Sequence, residues 1–428
     1  MRHLPIDSAL FANHRKRLAD RLPHGAIAFA NANDVLPTNA DGTLPLHPNS
    51  DLFYLSGIEQ EESILLLFPS ASNPKHREIL FLRKPNEHLK IWEGHKHDKE
   101  EGATISGIRS IHWVNEFDDI MQQLASEGKI FYFNENEHSR AGKTVETRDQ
   151  RFNQKLQRDY PLHRVERLAP HLHDLRFCKD REEIKLIKQA IEVTERGFRK
   201  TLRMVKPGVT EFQVEAEWAK EFIRRRCKFA YTPIVASGSN ACVLHYLQND
   251  QTCKKGDLLL MDVGACYANY NADLTRTIPV SGKFSRRQKQ VYNAVLRVLR
   301  QSIDNATIGK SLKEWQNDSH RMMTEEMLRL KLITQAQVKK QDPEQPACRK
   351  FYMHGLGHSL GLDVHDVANG QSVFRENSVF TVEPGIYLPD EGFGVRLEDN
   401  IQITKNGPVN LMSKIPIEAE EIEQIMNR

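Results

Sequence analysis

The stretch Phe351-Tyr-Met-His354-Gly-Leu-Gly-His358-Ser-Leu-Gly-Leu-Asp-Val-His365-Asp366 is the most informative part of this chain of 428 residues. Two apolar segments that each carry one glutamate follow it, Glu383 in Val-Phe-Thr-Val-Glu-Pro-Gly and Glu398 in Gly-Val-Arg-Leu-Glu-Asp-Asn. Upstream, Asp262 ends the apolar run Leu-Leu-Leu-Met, and Asp273 follows in the next predicted strand. Four acids therefore lie in predicted strands, where an uncompensated charge is costly to bury.

These acids predict a metal centre if the fold brings them together. A single acid at a strand end usually caps the strand or forms a salt bridge. Four converging acids would repel one another and raise their pKa values, unless cations lie between them. Two divalent ions would balance four carboxylates, and one imidazole would add a neutral nitrogen. We therefore predict two metal ions bound by Asp262, Asp273, His358, Glu383 and Glu398. The oxygen-rich donor set favours Mn²⁺, while Co²⁺, Zn²⁺, Fe²⁺ and Mg²⁺ stay open.

The composition is that of a globular protein, with 39% hydrophobic and 27% charged residues. The net charge is only +3 and no long basic block occurs, so we expect no nucleic-acid partner. Six cysteines are scattered without close pairs, which favours reduced thiols and a cytoplasmic location. No apolar run reaches the roughly 18 residues of a membrane span, so we expect no membrane partner.

Two domains are predicted, at 1–174 and 175–428. In the first, strands at 25–31, 63–68, 78–82 and 129–133 and helices at 11–22 and 116–126 indicate a small α/β domain. Trp92 lies in a polar loop, where a contact role and partial burial are both open. His95 and His97 lie in the same lysine-rich loop, and we interpret both as surface histidines.

The second domain is predicted to begin with two helices. These span 182–205 and 210–226, the latter with Thr210 as its N-cap and Gln213 completing a capping box. Strands are predicted at 234–240, 242–246, 257–264, 271–279, 379–383 and 394–400. In the last of these, strand alternation places Arg396 and Glu398 on one face.

From about residue 175 the chain resembles the pita-bread metallopeptidase family, which includes methionine aminopeptidase, prolidase and aminopeptidase P. The matching motifs are Leu244-His245-Tyr246, Asp262-Val-Gly, Asn271-Ala-Asp273, the quoted histidine stretch, Thr381-Val-Glu383-Pro-Gly-Ile-Tyr387 and Gly394-Val-Arg396-Leu-Glu398-Asp. Ser50-Asp-Leu-Phe-Tyr-Leu-Ser-Gly57 resembles the N-terminal domain of aminopeptidase P and prolidase. The resemblance implies an α/β N-terminal domain followed by an α+β pita-bread catalytic domain with a curved, mainly antiparallel sheet.

The resemblance also implies roles for single residues. One ion would bind Asp273, His358, Glu383 and Glu398, the other would bind Asp262, Asp273 and Glu398, and a hydroxide held between the ions would attack the substrate. Glu383 would transfer protons, and His245 and His365 would stabilise the oxyanion. The substrate-binding candidates are His354, Arg396, Tyr231, Tyr387 and Trp92. The loop around Trp92 reaches a neighbouring subunit in this family, which implies a homo-oligomer, a dimer or a tetramer.

The function implied by the resemblance is removal of the N-terminal residue from peptides with proline in the second position. A prolidase that cleaves Xaa-Pro dipeptides is the main alternative. A non-catalytic pita-bread protein that binds peptides is a third possibility. It is disfavoured because none of the five metal ligands is missing from the sequence, and creatinase-like hydrolysis without metal is disfavoured for the same reason.

Overall fold

The computed structural model describes residues 3–138, 140–142, 144–368 and 371–428. Backbone contacts divide the chain into two compact units. The first comprises His3–Arg176 and a short part of the segment between Asp366 and Gln371. The second comprises Phe177–Asp366 and Gln371–Arg428.

The first unit is built on a mixed six-stranded sheet. Its strands are β1 (Ala26–Asn31), β2 (Ile64–Leu67), β3 (Glu78–Leu82), β4 (Ser110–Trp113), β5 (Ile130–Phe133) and β6 (Arg164–Arg167). Their order across the sheet is β4-β3-β2-β1-β5-β6. The β1–β5, β5–β6 and β3–β4 pairs are parallel, and the other two pairs are antiparallel.

Seven helices accompany this sheet in the described residues. They are α1 (Ser8–Ala19), α2 (Ser50–Ser56), α3 (Glu87–Trp92), α4 (Lys99–Ser106), α5 (Phe117–Ala125), α6 (Arg148–Asp159) and α7 (Ala169–Phe177). The last of them ends at Phe177, one residue after the end of the first unit.

An aromatic core explains why these elements form. All six residues of β1 are buried, and Phe29 contacts the rings of Phe117 and Phe131 edge to face. The four strands and two helices predicted for this region are present, within a few residues of the predicted limits. The predicted loop at Trp92 is wrong, because Asn86 caps a short helix that ends at Trp92. The Trp92 side chain is 73% exposed.

The second unit contains six helices and eleven strands in the described residues. The helices are α8 (Arg181–Met204), α9 (Glu211–Arg224), α10 (Arg286–Asp304), α11 (Leu312–Arg329), α12 (Gln335–Lys339) and α13 (Ala419–Met426). The strands are β7 (Lys228–Phe229), β8 (Ile234–Ser237), β9 (Leu258–Asp262), β10 (Ala265–Tyr267), β11 (Tyr270–Asn271), β12 (Thr275–Pro279), β13 (Val379–Val382), β14 (Gly385–Leu388), β15 (Phe393–Arg396), β16 (Asp399–Thr404) and β17 (Gly407–Asn410).

Every strand pairing described in the second unit is antiparallel. The strands form the sheets β11-β10-β7, β12-β9-β8, β13-β16-β17 and β14-β15. Both predicted helices are present as α8 and α9, and the N–H of Thr210 donates to Gln213 Oε1 at 3.0 Å. None of the helices described in either unit is long and apolar enough to cross a membrane.

Four strand predictions for the second unit are wrong in whole or in part. No strand occurs at 242–246, where a 3₁₀ turn over Gly238–Cys242 leads into a loop with Val243 55% exposed. The strand predicted at 271–279 is split between β11 and β12, and Asp273 lies in the gap. There Asn400 replaces a strand partner, because its side chain bonds both the N–H and the carbonyl of Asp273.

The other two errors concern the strands predicted at 379–383 and 394–400, because neither Glu383 nor Glu398 lies within a strand. β13–β16 and β14–β15 are two parts of one hairpin in a single register, and the ladder is interrupted between the pair Val382–Asp399 and the pair Gly385–Arg396. Pro384 lies between these pairs and has no N–H to donate, so the hydrogen-bond ladder is interrupted there. Glu383 and Glu398 occupy opposite sides of the interruption, next to the paired residues Val382 and Asp399.

Candidate metal centre

The strand register of the second unit brings the four predicted acids together. Asp262 pairs with Thr275 across β9 and β12. Thr275 in turn forms an isolated antiparallel bridge with Glu398, and its hydroxyl donates to Glu398 Oε2 at 2.7 Å. Asp273 lies two residues before Thr275. The segment from Asp273 to Thr275 therefore lies between Asp262 on one side and Glu398 on the other.

His358 faces this group of acids. Its Nε2 lies 3.5 Å from Asp273 Oδ2 and 3.7 Å from Glu383 Oε1. Ligand atoms of Asp273, His358 and Glu398 all lie within 4.8 Å of one another. Nδ1 is 3.1 Å from the carbonyl oxygen of Ser359, which favours the tautomer with a proton on Nδ1 and a free lone pair on Nε2. This is the form in which an imidazole binds a metal.

The electrostatics of the cluster fit a missing positive charge. Burial raises the pKa of Glu398 well above its usual value, and the nearby Asp273 and Glu383 raise it further. Burial likewise raises the pKa of Glu383 to about 7, although His358 opposes the shift. The pKa of Asp262 is raised by burial and by Asp273, against the effect of Arg396. Carboxylates that resist ionisation together, beside an imidazole, form a donor set that divalent cations fit.

Tyr231 occupies a position that its sequence context did not predict. Its hydroxyl lies 2.5 Å from Asp262 Oδ1 and 2.5 Å from Asp273 Oδ1. Burial, together with the charges of these aspartates, raises the pKa of Tyr231 well above its usual value. The phenol therefore stays protonated and spans the two carboxylates. We expected it to line a substrate pocket, whereas its visible contacts are with two predicted metal ligands.

Three further pocket residues form a connected chain beside the acids. Arg396 Nη2 donates to Asp262 Oδ2 at 2.6 Å, and its Nη1 donates to the Tyr387 hydroxyl at 3.0 Å. His354 Nε2 lies 2.8 Å from the same hydroxyl. Burial and the charge of Arg396 lower the pKa of His354 to about 4, so this imidazole is neutral at pH 7. Tyr387, the weakest of the predicted pocket residues, thus links Arg396 with His354.

Comparison with known proteins identifies the family. Residues 185–405 match the description Metallopeptidase family M24, and residues 11–132 match the description Aminopeptidase P, N-terminal domain. The chain belongs to metallopeptidase family M24. A Xaa-Pro aminopeptidase from Haemophilus influenzae is 34% identical over 406 residues, covering 91% of this chain and 90% of that protein. One from Escherichia coli is 32% identical and covers 97% of each chain.

A solved structure supports the same assignment for the M24 chain. Aminopeptidase P from E. coli, determined with the inhibitor Pro-Leu, has a TM-score of 0.86 at 32% identity, covering 99% of each chain. The resemblance stated from the sequence motifs is therefore confirmed, as is the predicted fold class. That class is an α/β N-terminal domain followed by a pita-bread domain with antiparallel sheets.

The two remaining predicted histidines of the M24 domain are exposed at the site. The ring of His365 lies 4.1 Å from the ring of His358, centroid to centroid. His245 is close enough to His354 for its charge to contribute to the lowered pKa of His354. The contact of both imidazoles with a bound substrate stays a prediction. Trp92 belongs to the first unit, and its contact role stays a prediction.

Glu211 anchors the loop that carries His245, and sequence analysis did not single it out. Its side chain is fully buried, and Oε1 accepts bonds from the N–H and hydroxyl of Ser237, each at 2.7 Å. Oε2 accepts bonds from the Tyr246 hydroxyl at 2.8 Å and the Gln251 N–H at 2.9 Å. The chain before and after His245 is thereby tied to one carboxylate at the start of α9.

Proposed function

We propose that the chain is a metal-dependent exopeptidase that releases the N-terminal residue from peptides with proline in the second position. The observation that carries the proposal is the convergence of Asp262, Asp273, His358, Glu383 and Glu398 in an M24 chain. The relatives from Haemophilus influenzae and Escherichia coli, which cover 91% and 97% of this chain, are named Xaa-Pro aminopeptidases.

The proposed ligand sets follow the cluster. Asp273, His358, Glu383 and Glu398 would bind one ion, Asp262, Asp273 and Glu398 would bind the other, and Asp273 and Glu398 would be shared. Divalent ions at these ligands would supply Lewis-acid activation of a water molecule and of the scissile carbonyl. Manganese is our first choice among the ions.

The protein's own residues have separate tasks in this proposal. Glu383 would accept a proton from the attacking water and return it to the leaving nitrogen. His245 and His365 would donate hydrogen bonds to the oxyanion. His354, Arg396 and Tyr387 would contact the substrate beyond the cleaved bond.

A substrate with proline after the cleaved bond has no N–H at that position, so an ordinary strand-like backbone contact is lost there. A shaped pocket has to replace that contact. The linked side chains of Arg396, Tyr387 and His354 are held in fixed orientation by mutual hydrogen bonds, which suits them to form such a pocket.

Activity of metal-reconstituted protein on a small peptide panel tests the proposal. We expect cleavage of Xaa-Pro-Yaa peptides, little cleavage of Xaa-Ala-Yaa peptides, and no activity of Glu383→Ala on either. Exclusive cleavage of Xaa-Pro dipeptides would establish the prolidase alternative instead. Binding of the peptides without turnover at any metal loading would favour a non-catalytic pita-bread protein.

The remaining parts of the proposal concern the setting of the enzyme. We propose a cytoplasmic homo-oligomer, a dimer or tetramer, in which the exposed Trp92 contacts a neighbouring subunit. We also propose that the domain limits are 1–174 and 175–428. Sedimentation of wild type and Trp92→Ala would test the assembly, since a smaller oligomer is expected for the variant.

A further inference from the structure

The loop between α3 and α4 brings two histidines and a glutamate together in the first unit. His95 Nε2 lies 2.9 Å from Glu101 Oε1 and 2.8 Å from Oε2. His97 Nδ1 lies 3.8 Å from Glu101 Oε2. One ligand atom from each of the three side chains falls within 4.8 Å of the others. From the sequence we interpreted His95 and His97 as surface histidines without a shared partner. The structure adds Glu101, which the first turn of α4 places beside them.

The lysine between the histidines is directed elsewhere. Lys96 Nζ lies 2.6 Å from Glu61 Oε1 and 3.1 Å from Glu93 Oε2. Its ammonium charge is therefore neutralised by two carboxylates that are not part of the histidine group. Lys96 therefore pairs with its own acids, and the two imidazoles share a different carboxylate, that of Glu101.

Hydrogen bonds hold the Glu101 carboxylate and the backbone at His97 in place. Asp98 is the N-cap of α4, and its N–H donates to Glu101 Oε2 at 3.0 Å while Glu101 N–H donates to Asp98 Oδ1 at 2.8 Å. The N–H of His97 donates to Gln60 Oε1 at 2.7 Å. The Nδ1 atom of His97 is buried, and it neither accepts nor donates a hydrogen bond within the described part of the chain.

We propose that His95, His97 and Glu101 bind one divalent transition-metal ion, for which Zn²⁺ is the natural probe. Ligands about 2.0–2.1 Å from a tetrahedral zinc ion lie roughly 3.4 Å from one another. Glu101 Oε2 lies 2.8 Å from His95 Nε2 and 3.8 Å from His97 Nδ1, on either side of that value, and one nitrogen of each imidazole lies within 4.8 Å of the other. Imidazole and carboxylate are both ordinary zinc ligands, and water would complete the shell. The site uses none of the ligands proposed for the catalytic centre and does not depend on the proposed activity.

Zinc content of the full-length enzyme tests the site. Protein already loaded with its two catalytic ions is dialysed against low micromolar buffered Zn²⁺, and bound metals are counted by mass spectrometry. We expect wild type to bind one more zinc ion per chain than His95→Ala or His97→Ala. His24→Ala removes another exposed histidine of the first unit and should match wild type. Any exchange of zinc into the catalytic centre is common to all four proteins and cancels in the comparison.

X-ray absorption on the zinc ion supplies a second readout. The zinc that distinguishes wild type from the variants should show two imidazole ligands and light-atom ligands from carboxylate and water. Peptidase activity before zinc addition should be unchanged in both variants, and the thermal midpoint should be unchanged in His95→Ala because the His95 side chain is exposed. Equal zinc content in wild type and in both loop variants would overturn the proposal and leave an ordinary histidine–glutamate ion pair.

Discussion

Replacing Glu211 by alanine should destabilise the second unit and disorder the loop of His245. The substitution removes the acceptor for the N–H of Ser237 and for the hydroxyl of Tyr246, both in buried residues. An unsatisfied buried donor costs about 1–3 kcal/mol, so the two together predict a loss of roughly 4 kcal/mol. The Gln251 N–H is closer to solvent and adds less. The corresponding shift of the thermal midpoint is roughly 10 °C for a unit of this size.

Glu211→Gln keeps the shape of the side chain and one acceptor oxygen. Its amide nitrogen cannot accept from either set of donors, so we expect an intermediate loss of about 2 kcal/mol. The matched control is Glu217→Ala on the same helix, which removes only a partly exposed pairing with Lys220 and should change stability by less than about 0.5 kcal/mol.

Calorimetry of the metal-loaded protein gives the stability order, and steady-state kinetics on an Xaa-Pro-Yaa peptide gives the functional consequence. A loosened His245 should lower kcat more than it raises KM, and Glu211→Gln should recover part of the loss. A Glu211→Ala protein with the midpoint and kcat of wild type would refute the reasoning, because the carboxylate would then hold nothing in place.

Three further outcomes are expected. Without metal, folding stability should fall as pH rises from about 4.5 to 7, because the raised pKa of Glu383 means that the folded state binds the Glu383 proton more tightly than the unfolded state does. The loss of folding free energy should reach about 3 kcal/mol above pH 7. Thermal midpoints across this range with and without Mn²⁺ check this, and a flat metal-free profile would contradict it. Tyr231→Phe should weaken metal binding about 10- to 100-fold in chelator competition, because Asp262 and Asp273 lose the hydroxyl between them. An unchanged metal affinity would show that the phenol is dispensable. Arg396→Lys should lower kcat/KM about 10- to 100-fold, because an ammonium cannot reach the positions of both guanidinium nitrogens, and a wild-type value would remove Arg396 from the pocket.

Features of the site that depend on neighbouring residues could be predicted from the sequence, whereas features that depend on distant residues could not. Asp262 was apparent because an acid that ends an apolar run needs compensation, which is a property of neighbouring residues. The interruption that holds Glu383 and Glu398 was not apparent, because it lies between the paired segments β13–β16 and β14–β15 and is visible only once the hairpin has formed. The link made by Tyr231 and the anchor made by Glu211 depend on residues far apart in the sequence. No short-range pattern marks either of them.

The hydroxyl of Thr275 meets Glu398 across 123 positions of sequence. A ribosome that adds about 5–20 residues per second needs roughly 6–25 s to make that interval. During this time the two aspartates are already synthesised and their glutamate counterparts are not. A nascent chain can therefore offer an ion only weak, partial ligation, and selective uptake of the correct metal has to wait until synthesis is nearly finished.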